Sequence, residues 1–541
     1  MRVSDYLIKC LEKIGINHVF GLPGDYNFEI LYSVNRTPNV EWVGCTNELN
    51  AGYAADGYAR EKGFGAIVTT YGVGELSAIN AIAGSYAENV PVISIVGVPQ
   101  TRKIENKTLI HHNFLTPNYY AFEQAYKNVT ETTAYLTKEN AKSEIDRILT
   151  VFLKERKPVY VAIPIDVTQA EIDDKPGFEY PKSDEETLKT VVDKIKTMVE
   201  NSKHPVLLAD NMLKRYQCVE GFRKLAQKTN YPTSNFLMGM GAINTSSKNY
   251  AGTYLANYGN ETAKEVLYNT DCLISFGVVY SDLNAFGFSL PYDYKDYIAV
   301  YGSYTIINNK QYDNVMMKDV IEALTEVLPK RDCSVEALIG YHHSELKNEK
   351  LTSDYIYPRL QEFFSENDSI FLETGIIQHG FAGTRLPDNV TVNAQTLWGS
   401  IGWATPAAFG GAVALENTDK RVVLLTGEGS HQLTATEVSN MMHRGLKPVV
   451  IVLNNHGYTI ERLLSAHPDD SFNNIIQWDY SKLPAVFEGE VEVAQARTDK
   501  EFDIALKNAK NNNKMNYIEI FTEEMDIPVI SKKTLCKIKK Q

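Results

Sequence analysis

Short, almost purely apolar runs alternate with helix-patterned segments along the whole chain, and nearly every run stops at Gly, Pro, Asp or Asn. HVFGLPGD, EWVGC, GFGAIVTTYGVG, PVISIVGVP and PVYVAIPID set the pattern in the first third. HPVLLAD, YPTSNFLMG, DCLISFGVV and YIAVYGS repeat it in the middle, and SIFLETG, RVVLLTGEG, PVVIVLNN and NYIEIF repeat it in the last third. A strand that is apolar on both faces has to be covered on both faces. The pattern therefore predicts mainly parallel sheets sandwiched between helices, the α/β class. Helices are expected around residues 5–15, 49–60, 75–88, 219–229, 403–415 and 434–444.

Two stretches break the alternation. Residues 177–186 carry prolines and a run of acids, and residues 331–353 are charged and poor in strand formers. A chain of 541 residues also exceeds one ordinary core, at roughly 100–200 residues per domain. Three consecutive α/β domains are expected, over residues 1–176, 187–330 and 354–541. The net charge of -13 argues against binding to nucleic acid or to an anionic membrane, since either needs a basic face. The one basic cluster, Lys532 to Lys540, reads as a solvated chain end. No apolar run approaches the roughly 20 residues of a membrane span, and MRVSDYLIKCLEKIG has acids in a helical pattern, unlike a signal peptide. A cytoplasmic protein is expected. Cys10, Cys45, Cys218, Cys272, Cys333 and Cys536 show no C-x-x-C spacing, so they read as reduced thiols with neither a zinc site nor a disulfide framework.

Ligands of open α/β sheets sit beyond the carboxyl ends of the strands. Two turns there stand out. Gly427-Glu428-Gly429-Ser430 follows RVVLLT, and Asn454-Asn455-His456-Gly457 follows PVVIVL, with one helix expected between them. A carboxylate, an amide oxygen and a glycine carbonyl form a hard oxygen set that suits magnesium, with a diphosphate completing the octahedron. The glycines let backbone N–H groups approach phosphate at a helix N-terminus. A Gly-Glu-Gly turn alone is ordinary strand-to-helix punctuation, and its partner turn gives it meaning.

Gly-acid-Gly, then the 25 residues Ser430 to Asn454, then Asn, resembles the diphosphate and magnesium signature of thiamine-diphosphate enzymes. LWGSIGWATPAA, LNNHGYTIERLL, NELNAGYAADGYAR, FGLPGDYN, TTYGVGELSAINAIAGSYAENVPV and the pair His111-His112 resemble the pyruvate and indolepyruvate decarboxylases in particular. The resemblance implies thiamine diphosphate and Mg2+ as cofactors and decarboxylation of a small 2-oxo acid to an aldehyde. Glu48 would bond the aminopyrimidine ring, although a Glu before a helix ordinarily only complements the dipole. Asp25, His111, His112 and Glu461 would manage protons, with pKa values tuned by burial and charge. Ile401 would fold the cofactor into its V shape, beside Gly399, Ser400 and Thr374. Glu428, Asn455 and Gly457 would hold the metal, and with Gly429, Ser430, Tyr458 and Thr459 they would bind the cofactor. Gln378, His379, Ile460 and Leu464 would line the substrate pocket. The family further implies a homodimer or homotetramer, because two subunits complete each site.

Several positions depart from that pattern. Glu428 stands where the family has Asp, which predicts weaker metal retention because magnesium tolerates little distortion. His456 replaces an Asp and Asn113 a Thr. Ile376 and Ile377 replace small hydroxyl residues, His379 replaces an aromatic, and Leu464-Ser465-Ala466-His467 stands where Ile-His-Gly is expected. Pyruvate is therefore not the default substrate. A carboligase on the same scaffold and a non-catalytic homologue are the competing readings.

Overall fold

The computed structural model describes residues 1–290, 297–337 and 339–532. Cys536 and most of the basic tail lie outside the described residues. The fold is α/β and carries three sheets. The chain packs into two compact units.

The first unit comprises Met1–Pro181 with Pro406–Glu416 and Thr436–Asn440. Its sheet holds β1 (His18–Gly21), β2 (Glu41–Gly44), β3 (Gly65–Thr70), β4 (Val92–Val98), β5 (Thr132–Tyr135) and β6 (Val159–Pro164). They run parallel in the order β2-β1-β3-β4-β6-β5. Every residue of β3, β4 and β6 is buried, as expected for strands covered on both faces. The chain reverses its direction of sheet growth between β1 and β3, and a crevice opens there beyond their carboxyl ends.

Helix Glu48–Lys62 is buried from Asn50 to Ala59, which its small residues permit. A Cβ on Gly52 would come 2.5 Å from Ala81 Cβ, and one on Gly57 would come 2.0 Å from the Ala407 carbonyl oxygen. A buried ion triad ties this helix to helix Val73–Ala87 and the residue after it. Arg60 donates to Asp56 at 2.6 Å and reaches Glu88 at 3.3 Å, while Ser85 Oγ donates to Asp56 at 2.7 Å.

The second unit comprises Lys182–Thr405, Asn417–Ala435 and Met441–Gln541. One of its sheets holds β7 (Pro205–Ala209), β8 (Thr233–Asn235), β9 (Tyr250–Thr253), β10 (Cys272–Phe276), β11 (Tyr297–Val300), β12 (Tyr304–Ile307) and β13 (Lys310–Asp313), in the order β13-β12-β11-β10-β7-β8-β9. Here β11, β12 and β13 pair antiparallel. Burial alternates along β12, and β13 is mostly exposed, which is why the sequence pattern of apolar runs passes over both.

The other sheet of this unit holds β14 (Ser369–Leu372), β15 (Thr391–Ala394), β16 (Val422–Gly427), β17 (Val449–Asn454), β18 (Val491–Ala496) and β19 (Met515–Phe521), all parallel, in the order β15-β14-β16-β17-β19-β18. Taken in chain order, this repeats the arrangement of the first sheet strand for strand, so its switch point lies between β14 and β16. One expectation is corrected between β16 and β17. In place of a single helix the chain forms helix Glu428–Thr434, a 3-10 turn Ala435–Glu437 and helix Val438–His443.

Candidate active site

The crevice of the first sheet is built by close backbone approach. Gly24 lies where a Cβ would come 2.6 Å from Thr70 Cβ, and Gly97 on β4 lies where a Cβ would come 2.0 Å from the Tyr26 carbonyl oxygen. Asn27 closes the turn by accepting from Gly24 N at 2.9 Å and donating to the Leu22 carbonyl at 2.9 Å. Asp25, between these anchors, projects to solvent and meets His111 Nε2 at 2.8 Å from Oδ2. Tyr26, which the sequence pattern leaves unremarked, stacks on the His111 ring with centroids 4.9 Å apart. His112 lies edge-on to His111 at 4.7 Å. Its φ is 63°, and its carbonyl packs against Gly72, where a Cβ would sit 2.3 Å away. One ligand-type atom from each of Asp25, His111 and His112 lies within 4.8 Å of the others.

Glu48 is half-buried at the first position of its helix, after the N-cap Asn47, whose side chain accepts from Asn50 N. Its Oε1 is 3.2 Å from where a Cβ on Gly74 would stand, so glycine there lets the next helix come up to the carboxylate. The turn before Glu48 is held by Glu437, which is fully buried. Glu437 Oε2 accepts from Thr46 Oγ1 and Asn50 Nδ2, both at 2.8 Å. The sequence pattern does not reveal Glu437, because nothing local distinguishes it from a solvated helix residue. Glu75 is buried as well. It accepts from Gly72 N and from Tyr160 Oη, both at 2.8 Å, and burial pushes its carboxyl up to about 7.

In the second unit, Glu428 follows β16 as the first residue of its helix and is 2 % exposed. Burial pushes its carboxyl up to about 7, against hydrogen bonds that pull it down, the strongest geometry being Gly457 N to Oε1 at 2.8 Å. One end of the Asn455 amide lies 3.2 Å from Glu428 Oε2 and 2.9 Å from the Gly457 carbonyl oxygen. With the nitrogen at that end it donates to both, and its oxygen accepts from Thr459 Oγ1 at 2.8 Å. With the amide turned over, three oxygens converge. The two separations from the Asn455 oxygen match neighbouring corners of an octahedron with metal–oxygen bonds of about 2.1 Å. This set fits a small hard divalent cation.

Gly457 has φ 138°, and a Cβ there would come 2.6 Å from the Asn473 carbonyl oxygen, so only glycine serves. Gly429 packs on the Tyr458 ring. Ser430 and Thr459 are buried, Tyr458 is half-buried and His456 is exposed. Glu461 and Leu464 are exposed and Ile460 half-buried along the short helix Thr459–Leu464.

The loop after β15 is organised by Gln395. Its carbonyl accepts from Gly399 N and Thr374 Oγ1, both at 3.1 Å, and its Oε1 accepts from Ser400 N at 3.0 Å. Its Nε2 is buried with no hydrogen-bond partner among the described residues. Thr374, Gly399 and Ser400 are thus brought together, with Ile401 partly exposed beside them. Gln378 is buried and donates to Thr396 Oγ1 at 2.6 Å. His379 is held below the ordinary imidazole pKa by burial.

Glu373, after β14 at the switch point, is fully buried and pushed up to about 7 by burial. It accepts from Ala404 N at 3.2 Å and Thr374 N at 3.1 Å. An acid placed directly after an apolar strand was the available signal for it. His431, buried between Thr405 Oγ1 and Tyr517 Oη at 2.9 Å each, has its imidazole pushed down to about 4 by burial. It belongs to the packing that carries Glu428.

Comparison with known proteins adds three domain profiles and a set of relatives. The profile of the thiamine pyrophosphate enzyme N-terminal TPP binding domain matches residues 1–122, the central domain residues 192–327, and the C-terminal TPP binding domain residues 375–520. The chain is 36% identical to pyruvate decarboxylase isozyme 1 of Saccharomyces cerevisiae, over 97% of this chain and 96% of that one. It is 35% identical to a putative pyruvate decarboxylase of Schizosaccharomyces pombe, over 100% and 99%, and 35% identical to pyruvate decarboxylase of Kluyveromyces lactis, over 97% and 96%.

Proposed function

Since the chain belongs to the thiamine-diphosphate-dependent 2-oxo acid decarboxylases, we propose that it converts a small aliphatic, branched or aromatic 2-oxo acid to an aldehyde and carbon dioxide without oxidation. Bound thiamine diphosphate supplies the nucleophilic carbon and the electron sink. Binding, orientation and proton transfer fall to this chain. Glu48 holds a proton on the aminopyrimidine. Asp25, His111, His112 and Glu461 hold or move protons on substrate and product, and the His111 Nε2 to Asp25 Oδ2 contact of 2.8 Å is one path along which a proton passes. Glu428, Asn455 and Gly457 hold Mg2+. Gly429, Ser430, Tyr458 and Thr459 hold the diphosphate, and Thr374, Gly399, Ser400 and Ile401 the rings. Gln378, His379, Ile460 and Leu464 face the substrate side chain.

The observation that carries this reading is the Asp25, His111 and His112 group, a set of proton-handling side chains, two exposed and one half-buried, anchored by glycines at a sheet crevice. The relatives compared are named pyruvate decarboxylases, which counts against the carboligase and the non-catalytic homologue. We take residues 1–176, 187–330 and 354–541 as three domains, supported by one sheet and one family profile within each range.

A homodimer or homotetramer is part of the proposal. It is supported by large apolar side chains left exposed at the two sets of site elements, among them Phe28, Tyr32 and Val73 in the first unit and Trp398, Phe472 and Ile476 in the second. None of the five described cysteines is in a disulfide, in keeping with a reducing cytoplasm. No helix among the described residues is long and apolar enough to cross a membrane.

The test is a series of 2-oxo acids graded in size and branching, offered to the protein loaded with thiamine diphosphate and magnesium, with carbon dioxide and aldehyde both measured. Equal amounts of the two products are expected from at least one acid, and Glu48→Gln should slow turnover by about a thousandfold, within the range of proton-transfer catalysis. Full turnover by Glu48→Gln would refute the mechanism.

A further inference from the structure

Asp25, His111 and His112 do more than face a crevice. They present two imidazoles and one carboxylate, each with an atom within 4.8 Å of the others. A tetrahedral ion with bonds of about 2.0–2.1 Å to nitrogen and oxygen sets its ligand atoms about 3.4 Å apart. The His111 Nε2 to Asp25 Oδ2 separation of 2.8 Å already falls below that spacing, so these two need only part slightly. Both side chains are about half exposed, which leaves them room to turn and leaves water access to a fourth position.

The backbone beneath them is fixed. Tyr26 lies on Gly97 and His112 on Gly72, each at a separation that admits no Cβ, and the Tyr26 ring stacks on His111. Three N and O donors on a rigid base with one open position is the pattern of an exchangeable borderline-soft metal site, unlike the all-oxygen set around Glu428.

We propose that this group is a second metal site, selective for zinc and its borderline neighbours over magnesium, and that filling it switches the enzyme off. The ion engages the imidazole and carboxylate lone pairs, so His111 no longer exchanges a proton with Asp25. No bond of the substrate is made or broken by the ion. Only the inhibitory consequence rests on the decarboxylase reading, because binding is measured without turnover.

The test uses the full-length protein saturated with thiamine diphosphate and excess magnesium, so that the oxygen site is filled. It is titrated with cobalt(II), followed by its visible ligand-field absorption, and the cobalt is then displaced with zinc. One ion per chain with a four- or five-coordinate spectrum is expected, weakened at least about tenfold in Asp25→Asn and in His112→Gln. His343→Gln, which alters an exposed His343–Glu362 pair, serves as the control and should bind as before. Zinc should inhibit wild-type turnover over the same concentration range in which it displaces cobalt.

An unchanged spectrum in Asp25→Asn and His112→Gln, loss of the ion in His343→Gln, or no cobalt absorption at millimolar metal would each overturn the site. Binding as described with turnover unaffected would overturn the switch alone. Absence of turnover with every 2-oxo acid, with binding intact, would count against the decarboxylase reading and leave the metal site standing.

Discussion

The first sheet and the last share one strand order, β2-β1-β3-β4-β6-β5 and β15-β14-β16-β17-β19-β18, yet their switch points carry opposite kinds of edge. At the first, Asp25 and His111 stand in water, able to exchange protons. At the last, Glu373 and Glu428 are buried, held by N–H groups and pushed up to about 7 by burial, with no side-chain cation among the leading influences on either. Buried acids in the first unit include a pair that does have its cation, Asp56 and Glu88 on Arg60. Topology places the crevice, and the surroundings decide whether its carboxylates stand open to water or are closed off among backbone N–H groups.

The sharpest way to break that contrast is Arg60→Met. It removes the guanidinium that both buried acids contact, and losing one partner from a buried ionic group costs about 3–5 kcal/mol. Denaturant unfolding should show that loss. A change below about 1 kcal/mol would mean the first unit tolerates unpaired buried acids as the last sheet does.

Next in size is a dependence on pH. Glu75 in the first unit and Glu373 beside the last sheet both sit near 7 in the folded chain, above an ordinary glutamate. The folded state therefore binds more protons than the unfolded state between about 4.5 and 7. The contribution of each group is fully present below about 4.5 and is lost as pH rises through about 7, up to about 3 kcal/mol apiece. Glu75→Gln and Glu373→Gln should each flatten the fall in thermal stability between pH 5 and 8. If only Glu373→Gln does so, the two crevices differ more than their exposure indicates.

The interior strands and the turns that follow them were legible in the chain, the contrast in exposure was not, and the gaps have physical reasons. Interior strands such as β3, β4, β16 and β17 announce themselves because both faces are buried. The edge strands β5, β15 and β18 do not, since half of each faces solvent or a loop; the burial of β18 alternates irregularly and most of its residues are at least partly exposed. The Asp25 loop and the two turns after β16 and β17 are local in sequence and could be read as sites. Glu437 and Gln395 could not, because each acts only after folding brings it to Thr46 and Asn50, or to Thr374, Gly399 and Ser400. The split of the segment after Glu428 into two short helices was hidden because its pattern suits either form.

The smallest expected change in stability bears most directly on what the closed edge is for. Gly427 ends β16 with φ −87°, which any residue adopts, and a Cβ built there meets nothing within 4 Å. Gly457 and Gly97 are different, since strain or close packing demands glycine at both. Packing thus gives no reason for glycine at 427, and Gly427→Ala should raise stability by about 0.5 kcal/mol through the unfolded chain. If the open space is where a phosphate oxygen approaches the backbone at the start of the Glu428 helix, the same substitution should weaken thiamine diphosphate binding at least tenfold, read by calorimetric titration in excess magnesium. Higher stability with unchanged affinity would place the diphosphate elsewhere, and the likeness of the two sheets would then be one of topology alone.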